Sequence, residues 1–228
     1  MDIIHALEVW CDEASYAEFQ IAYINAFERQ RQAYVSECDR DGHHTSGHGF
    51  NRVASVAEAQ LDASKEALVL FVTRAFDDDG CAAKLSELKN ALTKDGCAAI
   101  KEMLANEEAD QSPERTQQIA VLGEALNASF KNFRTEFKDE LASIRHIRGK
   151  AIAHIDGQNM KDSIGRDEIA PGFTVGEMIK VSQAVIKLID DIDAFIPGPK
   201  RRRPDPFLER KCMLFWETVM DRAHEYKF

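Results

Sequence analysis

The stretch that decides the fold is FKNFRTEFKDELASIRHIRGKAIAH, residues 130–154. Large apolar side chains recur in it every three or four residues, which is the spacing of one face of an α-helix. The same stripe begins upstream at Ile119, and Pro113 is well suited to the first turn of a helix. We therefore predict one long helix over residues 113–154. Its apolar stripe includes Phe130, Phe133, Phe137, Leu141 and Ile144.

Helical periodicity also fills most of the remaining chain. β-branched residues do not alternate with polar ones over any run that would favour a strand. The predicted fold is therefore all-α, a bundle of long antiparallel helices with a C-terminal helical appendage. The other predicted helices cover residues 2–39, 51–76, 80–93, 96–106, 174–196 and 206–226.

We expect two parts of unequal size. Residues 1–196 form the helical bundle, and residues 197–228 form a stiff basic linker followed by an amphipathic helix. That last helix carries Trp216 and several other large apolar residues. It either folds back on its own bundle or docks on a second subunit, and the dimer contact is the favoured interpretation.

Composition restricts the environment and the partners. The net charge of −10 argues against a generally basic nucleic-acid coat, although a local basic face remains compatible with RNA binding. The five cysteines are scattered and odd in number, which is typical of reduced thiols in a cytoplasmic protein. The N-terminal residues lack the pattern of a signal peptide, and no apolar run approaches the roughly 20 residues of a membrane span. We expect a soluble cytoplasmic protein without membrane contact.

One cation interrupts the apolar stripe. On a helical wheel Arg148 falls within the apolar arc and His154 lies at its edge. A buried guanidinium needs an acidic partner, an open cleft or a subunit interface. One interpretation is structural. Arg148 then forms a buried salt bridge, and His154 is a histidine at the C-terminal end of the helix, where the helix dipole favours it. The other is a functional site. The neighbours that point away from the arc are Arg145, His146, Gly149 and Lys150.

The segment RGKAIAH, residues 148–154, resembles the signature of the HEPN superfamily, an Arg followed after four to six residues by a His. Its surroundings resemble the abortive-infection (Abi) branch, whose pattern is matched by Lys150, Ala153, His154 and Asp156. The resemblance covers residues 1–196. One position departs from the pattern, because Gly149 stands where the family usually has a polar residue.

The resemblance implies a homodimer in which two Arg/His motifs face a shared cleft. Many members are ribonucleases that need no metal or cofactor; some are toxins paired with a nucleotidyltransferase-type antitoxin or act in phage defence. We therefore expect an RNA endonuclease that leaves 2′,3′-cyclic phosphate ends. His154 suits proton transfer and Arg148 suits stabilisation of the phosphorane. The supporting residues are Lys150 and Arg145, for flanking phosphates, and Asp156, for orienting the imidazole.

Two alternatives concern activity and regulation. Other family members have lost activity, so Gly149 keeps open a catalytically silent domain that binds RNA or a partner protein. Toxins that are nucleotidylated carry a Tyr two residues after the His. This chain has Asp156 at that position, which does not favour such regulation.

Two further clusters have two interpretations each. The basic run Lys200, Arg201, Arg202 and Arg203 either grips RNA phosphates or meets the acidic surface of the protein itself. His43, His44 and His48 resemble a transition-metal site by composition, but no acid or Cys at a suitable spacing completes it. The favoured interpretation of the His cluster is a polar turn, so no metal site is predicted.

Overall fold

The structure is a computed structural model that describes residues 2–40, 48–76, 84–106, 113–153, 168–170, 173–196, 199–202 and 205–225. These residues form eight α-helices and a short antiparallel hairpin, so the all-α prediction is confirmed. The helices are α1 (Ile3–Arg40), α2 (His48–Phe76), α3 (Leu85–Thr93), α4 (Ala98–Asn106), α5 (Pro113–Glu136), α6 (Lys138–Ala153), α7 (Val175–Phe195) and α8 (Leu208–Glu225). The strands are β1 (Glu168–Ala170) and β2 (Phe173–Thr174), and no described helix is long and apolar enough to cross a membrane.

The long helix predicted over residues 113–154 is two helices, α5 and α6, which meet at Phe137. The interruption is small. The Phe137 amide donates to the Phe133 carbonyl at 3.0 Å, and the Leu141 amide donates to the Phe137 carbonyl at 2.9 Å. These are ordinary helical hydrogen bonds, and Phe137 is buried like the stripe residues on either side. Because the apolar spacing passes through the junction unchanged, periodicity predicts a single helix.

The hairpin lies in a segment predicted to be a loop. Glu168 pairs with Thr174 and Ala170 with Phe173. Strands of three and two residues are too short to show an alternating pattern, which is why the sequence does not reveal them. The hairpin leads directly into α7 through a capping box, in which the Glu177 amide donates to Thr174 Oγ1 at 3.2 Å. The hydrogen bonds from Thr174 also lower the pKa of the Glu177 carboxyl.

The chain divides into two compact units, the first made of residues 1–17 and 68–203. In this unit α7 is the most apolar element, with Met178, Val181, Val185, Ile189 and Ile192 all buried. An aromatic cluster joins the end of α2 to α5, since Phe76 stacks on Phe133 with ring centroids 4.7 Å apart. This unit contains α6 and therefore Arg148.

The second unit is made of residues 18–67 and 204–228. Here Trp216 of α8 is 1% exposed and packs between the rings of Tyr23 and Phe27, with centroids 5.0 and 4.8 Å away. Its indole Nε1 donates to the Tyr23 carbonyl at 3.2 Å. The final helix thus folds back on α1 of its own chain through Trp216. A dimer contact through the rest of α8 stays a prediction, as does the domain boundary at residue 196.

Candidate functional site

Of the residues predicted to form the site, Arg145 and Arg148 have described side chains, and both lie on α6. The buried positions of α5 and α6 keep a spacing of three and four residues up to Ile147, and Arg148 follows on the same face, half-buried. Arg145 and His146 are exposed, as the helical wheel predicts. The helix therefore presents one partly enclosed guanidinium at the end of an apolar stripe. The buried stripe of α6 and its junction consists of Phe137, Leu141, Ile144 and Ile147.

A shallow cleft lies beside this stripe, between α2 and α6. Its volume is about 10 Å³, enough for roughly one water molecule and far too small for a nucleotide. The lining is apolar apart from Thr73 and Arg145; the residues are Val72, Thr73, Phe76, Leu141, Ile144 and Arg145. This cleft between the described parts of α2 and α6 therefore does not enclose a nucleotide.

The remaining motif residues lie at the edge of the structure's coverage or beyond it. Gly149 and Lys150 belong to the α6 backbone, but the burial of Gly149 and the side chain of Lys150 are outside the described part. His154 and Asp156 are outside the described residues altogether. The pairing of Arg148 with His154, and the roles given to Lys150 and Asp156, stay predictions.

The basic run after α7 is held by acids of α7. The Arg201 guanidinium pairs with Asp193 at 3.2 Å, and the backbone amide of Arg201 donates to Asp193 Oδ2 at 3.0 Å. Arg202 Nη1 donates to both Asp190 carboxylate oxygens, at 2.6 and 2.7 Å, and the Arg202 side chain is only 2% exposed. Lys200 is exposed, and Arg203 is outside the described residues. Two of the four cations thus meet the protein's own acidic surface, and RNA binding by the run stays a prediction.

Three described cysteines, Cys11, Cys97 and Cys212, are buried and unpaired with one another. Burial raises the pKa of the Cys11 thiol to about 11, and the nearby Asp193 carboxylate adds to this effect. Burial also raises the pKa of Cys97 and Cys212. Thiols of this kind stay protonated at neutral pH, so none of the three is poised as a nucleophile.

The side chains of the predicted histidine cluster, between α1 and the start of α2, lie outside the described part of the chain. His43 and His44 lie outside the described residues, and the side chain of His48, at the start of α2, lies outside them too. Within the described ranges, no three His, Cys, Asp or Glu side chains lie close enough together to hold a metal ion.

The structure reveals a basic cluster that the sequence analysis missed. Lys89 of α3 lies 5.8 Å from the ring centroid of Phe130 and donates to Asn127 Oδ1 at 2.9 Å. Arg134 of α5 lies 6.0 Å from the ring centroid of Phe76. Burial lowers the pKa of Lys89, and electrostatic repulsion by the charge of Arg134 lowers it further. Only tertiary packing brings Lys89 to this place, so no sequence spacing reveals it.

Comparison with known proteins assigns the family. The family model AbiU2, of the HEPN type, matches residues 9–195, which covers most of α1 and all of α2 to α7, together with the Arg148–His154 segment. The search of curated proteins and the search of solved structures returned no match. Since the family model spans most of the sequence, this chain is a member of the AbiU2 family of HEPN proteins.

Proposed function

We propose that this protein is a metal-independent RNA endonuclease acting as a toxin or phage-defence effector in abortive infection, with Arg148 and His154 as its catalytic residues. The observation that carries the proposal is the position of Arg148. It is a half-buried cation at the end of an apolar helix stripe, in a chain of the AbiU2 family. An arginine in the motif segment of such a family, placed where a cation is costly to bury, favours a functional role over a chance surface charge.

The proposed reaction uses the RNA itself as nucleophile. The 2′-hydroxyl loses its proton, its oxygen forms a bond to the adjacent phosphorus, and the bond from phosphorus to the 5′-oxygen breaks. The leaving oxygen takes up a proton, so the products are a 2′,3′-cyclic phosphate and a 5′-hydroxyl. His154 exchanges these protons, because imidazole titrates near neutrality. Arg148 stabilises the doubly charged phosphorane with its planar fork.

A homodimer completes the proposed site. The cleft between α2 and α6 holds about 10 Å³, so a single chain does not enclose a nucleotide there. Two copies that bring their α6 ends together form a cleft with two arginines and two histidines. One imidazole then accepts the 2′-proton while the other supplies a proton to the leaving oxygen. Light scattering at micromolar concentration tests this arrangement, since a monomer at that concentration contradicts it.

The decisive experiment is cleavage of structured RNA in EDTA, with analysis of the ends. Wild type is expected to leave 2′,3′-cyclic phosphates, and Arg148→Ala and His154→Ala are expected to lose this activity. The matched controls are His146→Ala, an exposed histidine on the same helix, and Arg210→Ala, an exposed arginine of α8. Equal cleavage by all four variants would refute the assigned residues.

The second candidate is a catalytically silent HEPN domain that binds RNA or a partner protein. Gly149 favours it, because a polar side chain that helps to position the motif is absent at that position. Intact RNA in the same assay, together with binding that survives His154→Ala, supports the silent domain. A nucleotidyltransferase-type antitoxin is the partner proposed for either form, and inspection of the neighbouring genes tests for one.

A further inference from the structure

A line of cations follows α5 and α6 beside the buried stripe. At about 100° per residue, Lys131, Arg134, Lys138 and Arg145 fall within an arc of roughly 60°. The hydrogen bonds at Phe137 preserve the helical repeat across the junction, so the four share one face. All four are exposed. The carboxylates of the same stretch lie outside the arc; they are Glu136, Asp139 and Glu140.

These four charges are not neutralised within the described part of the chain. No described carboxylate forms an ion pair with any of them, whereas cations elsewhere do form such pairs. Arg74, for example, binds Glu13 at 2.9 Å, and Lys187 binds Asp191 at 2.8 Å. No described carboxylate therefore competes with an external anion for these four side chains.

A neighbouring helix adds a fifth cation at one end of the line. Lys89 of α3 lies near Arg134, and burial together with the Arg134 charge lowers the pKa of Lys89. The two cations lie over adjacent rings, Phe130 and Phe76, whose centroids are 6.4 Å apart. Like charges held close together without a carboxylate repel each other, and a bound anion relieves that repulsion.

The row of four cations runs along the helix axis towards Arg148. From Lys131 to Arg145 it extends for about 21 Å along the helix axis, and Arg148 follows one turn later. The protein as a whole carries a net charge of −10, so most of its surface repels a polyanion. The sign of the charge is reversed along this face, which steers a polyanion towards the motif helix.

We propose that Lys131, Arg134, Lys138 and Arg145, with Lys89 at the far end, form a basic track that binds the phosphates of one RNA strand and delivers it to Arg148. This inference rests on the proposed RNA-cleaving function. A row of cations at regular intervals, without acids between them, suits a polymer whose charges recur regularly. The track lies in α5, α6 and α3, upstream of the motif, and it adds phosphate contacts that are remote from the reacting bond.

The test measures RNA affinity rather than cleavage. Single-stranded RNA is titrated by fluorescence anisotropy in a His154→Ala background, which keeps the RNA intact. The track variant is Lys131→Gln/Arg134→Gln/Lys138→Gln. The matched control is Lys94→Gln/Lys180→Gln/Arg210→Gln, which removes the same number of exposed charges elsewhere. The track variant is expected to bind at least about tenfold more weakly, while the control stays within about twofold of the parent.

Salt dependence gives a second readout. Each phosphate contact to a single strand contributes about 0.7 to the slope of log affinity against log salt, so the track variant should reduce that slope by about 2. Lys131→Gln/Lys138→Gln leaves Arg134 on Phe76 and should reduce it by about 1.4. Circular dichroism verifies that each variant remains helical.

The outcomes separate the two proposals. If wild type cleaves RNA in EDTA but the track variant binds RNA like the control, the track is refuted and the nuclease stands. If wild type neither cleaves nor binds RNA, both are refuted. If the track variant loses an acidic protein partner while its RNA affinity equals that of the control, the RNA assignment is overturned.

Discussion

Two arginines of the first unit enter apolar surroundings, and they do so in different ways. Arg202 is enclosed, with a 2% exposed side chain and two hydrogen bonds to the Asp190 carboxylate. Arg148 remains half-buried at the end of the α6 stripe. In the sequence, Arg202 belongs to the basic run that suggests nucleic-acid binding, whereas Arg148 is a single intrusion in an apolar pattern. A run of cations in the sequence therefore does not by itself mark a binding surface, because Arg201 and Arg202 pair with acids of α7.

The sharpest test of this contrast is Arg148→Lys, which keeps the charge and removes the planar fork. Cleavage is expected to fall about 100-fold, because lysine cannot contact two phosphate oxygens in parallel. The thermal midpoint should stay within a few degrees of wild type. Rates are measured under single-turnover conditions, with Arg210→Lys as the control. A lysine variant with the full rate would show that positive charge alone suffices.

At the Arg202 region we expect the opposite result, a loss of stability without a specific loss of activity. Asp193→Ala removes a 3% exposed carboxylate that pairs with Arg201 and accepts the Arg201 amide. The free energy of unfolding should fall by about 2 kcal/mol. The reason is that the guanidinium and the backbone amide of Arg201 both lose their acceptor where little water reaches them. Urea denaturation measures the change. Cleavage per folded molecule should match wild type, and a stability within about 0.5 kcal/mol of wild type would contradict the packing role.

The smallest expected effect is a pH dependence of the stability that arises from Cys11. The charges of Asp193 and Arg201 act on its thiol. The pKa of Cys11 is about 11 in the folded chain and 9.0 as the ordinary value, so the folded state retains the thiol proton that the unfolded state releases. Stability is therefore unaffected by this group below pH 9 and declines between pH 9 and 11, by about 1 kcal/mol at pH 10. Urea denaturation of wild type and Cys11→Ala at pH 7 and pH 10 measures the difference. An equal pH dependence in both proteins would show that Cys11 does not contribute.

Much of the fold follows from local patterns. Apolar spacing predicted α1 over residues 2–39, and the structure has Ile3–Arg40. Thr174 as an N-cap predicts the start of α7, and the structure adds Glu177 as its capping-box partner. The break at Phe137 was not predicted, since the apolar spacing of the helix continues through it unchanged. The hairpin before α7 was not predicted either, since its strands are too short to show an alternating pattern.

The candidate site was predictable only in part. The wheel places Arg148 correctly because burial along one helix is a property of that helix. The partners of Arg201 and Arg202 were not identifiable, since Asp190 and Asp193 reach them only after the chain turns back along α7. Lys89 is a similar case, because it joins Arg134 through packing between α3 and α5.

The hydrogen bond from Trp216 to the Tyr23 carbonyl joins residues 193 positions apart in the sequence. Bringing together two residues so far apart in the chain costs loop-closure entropy, so this contact is expected to form late in the assembly of the second unit. During synthesis, Trp216 cannot cover Tyr23 and Phe27 until the eighth helix has been made. For a chain whose proposed activity would harm its own cell, this order of events delays completion of the second unit until translation has reached α8.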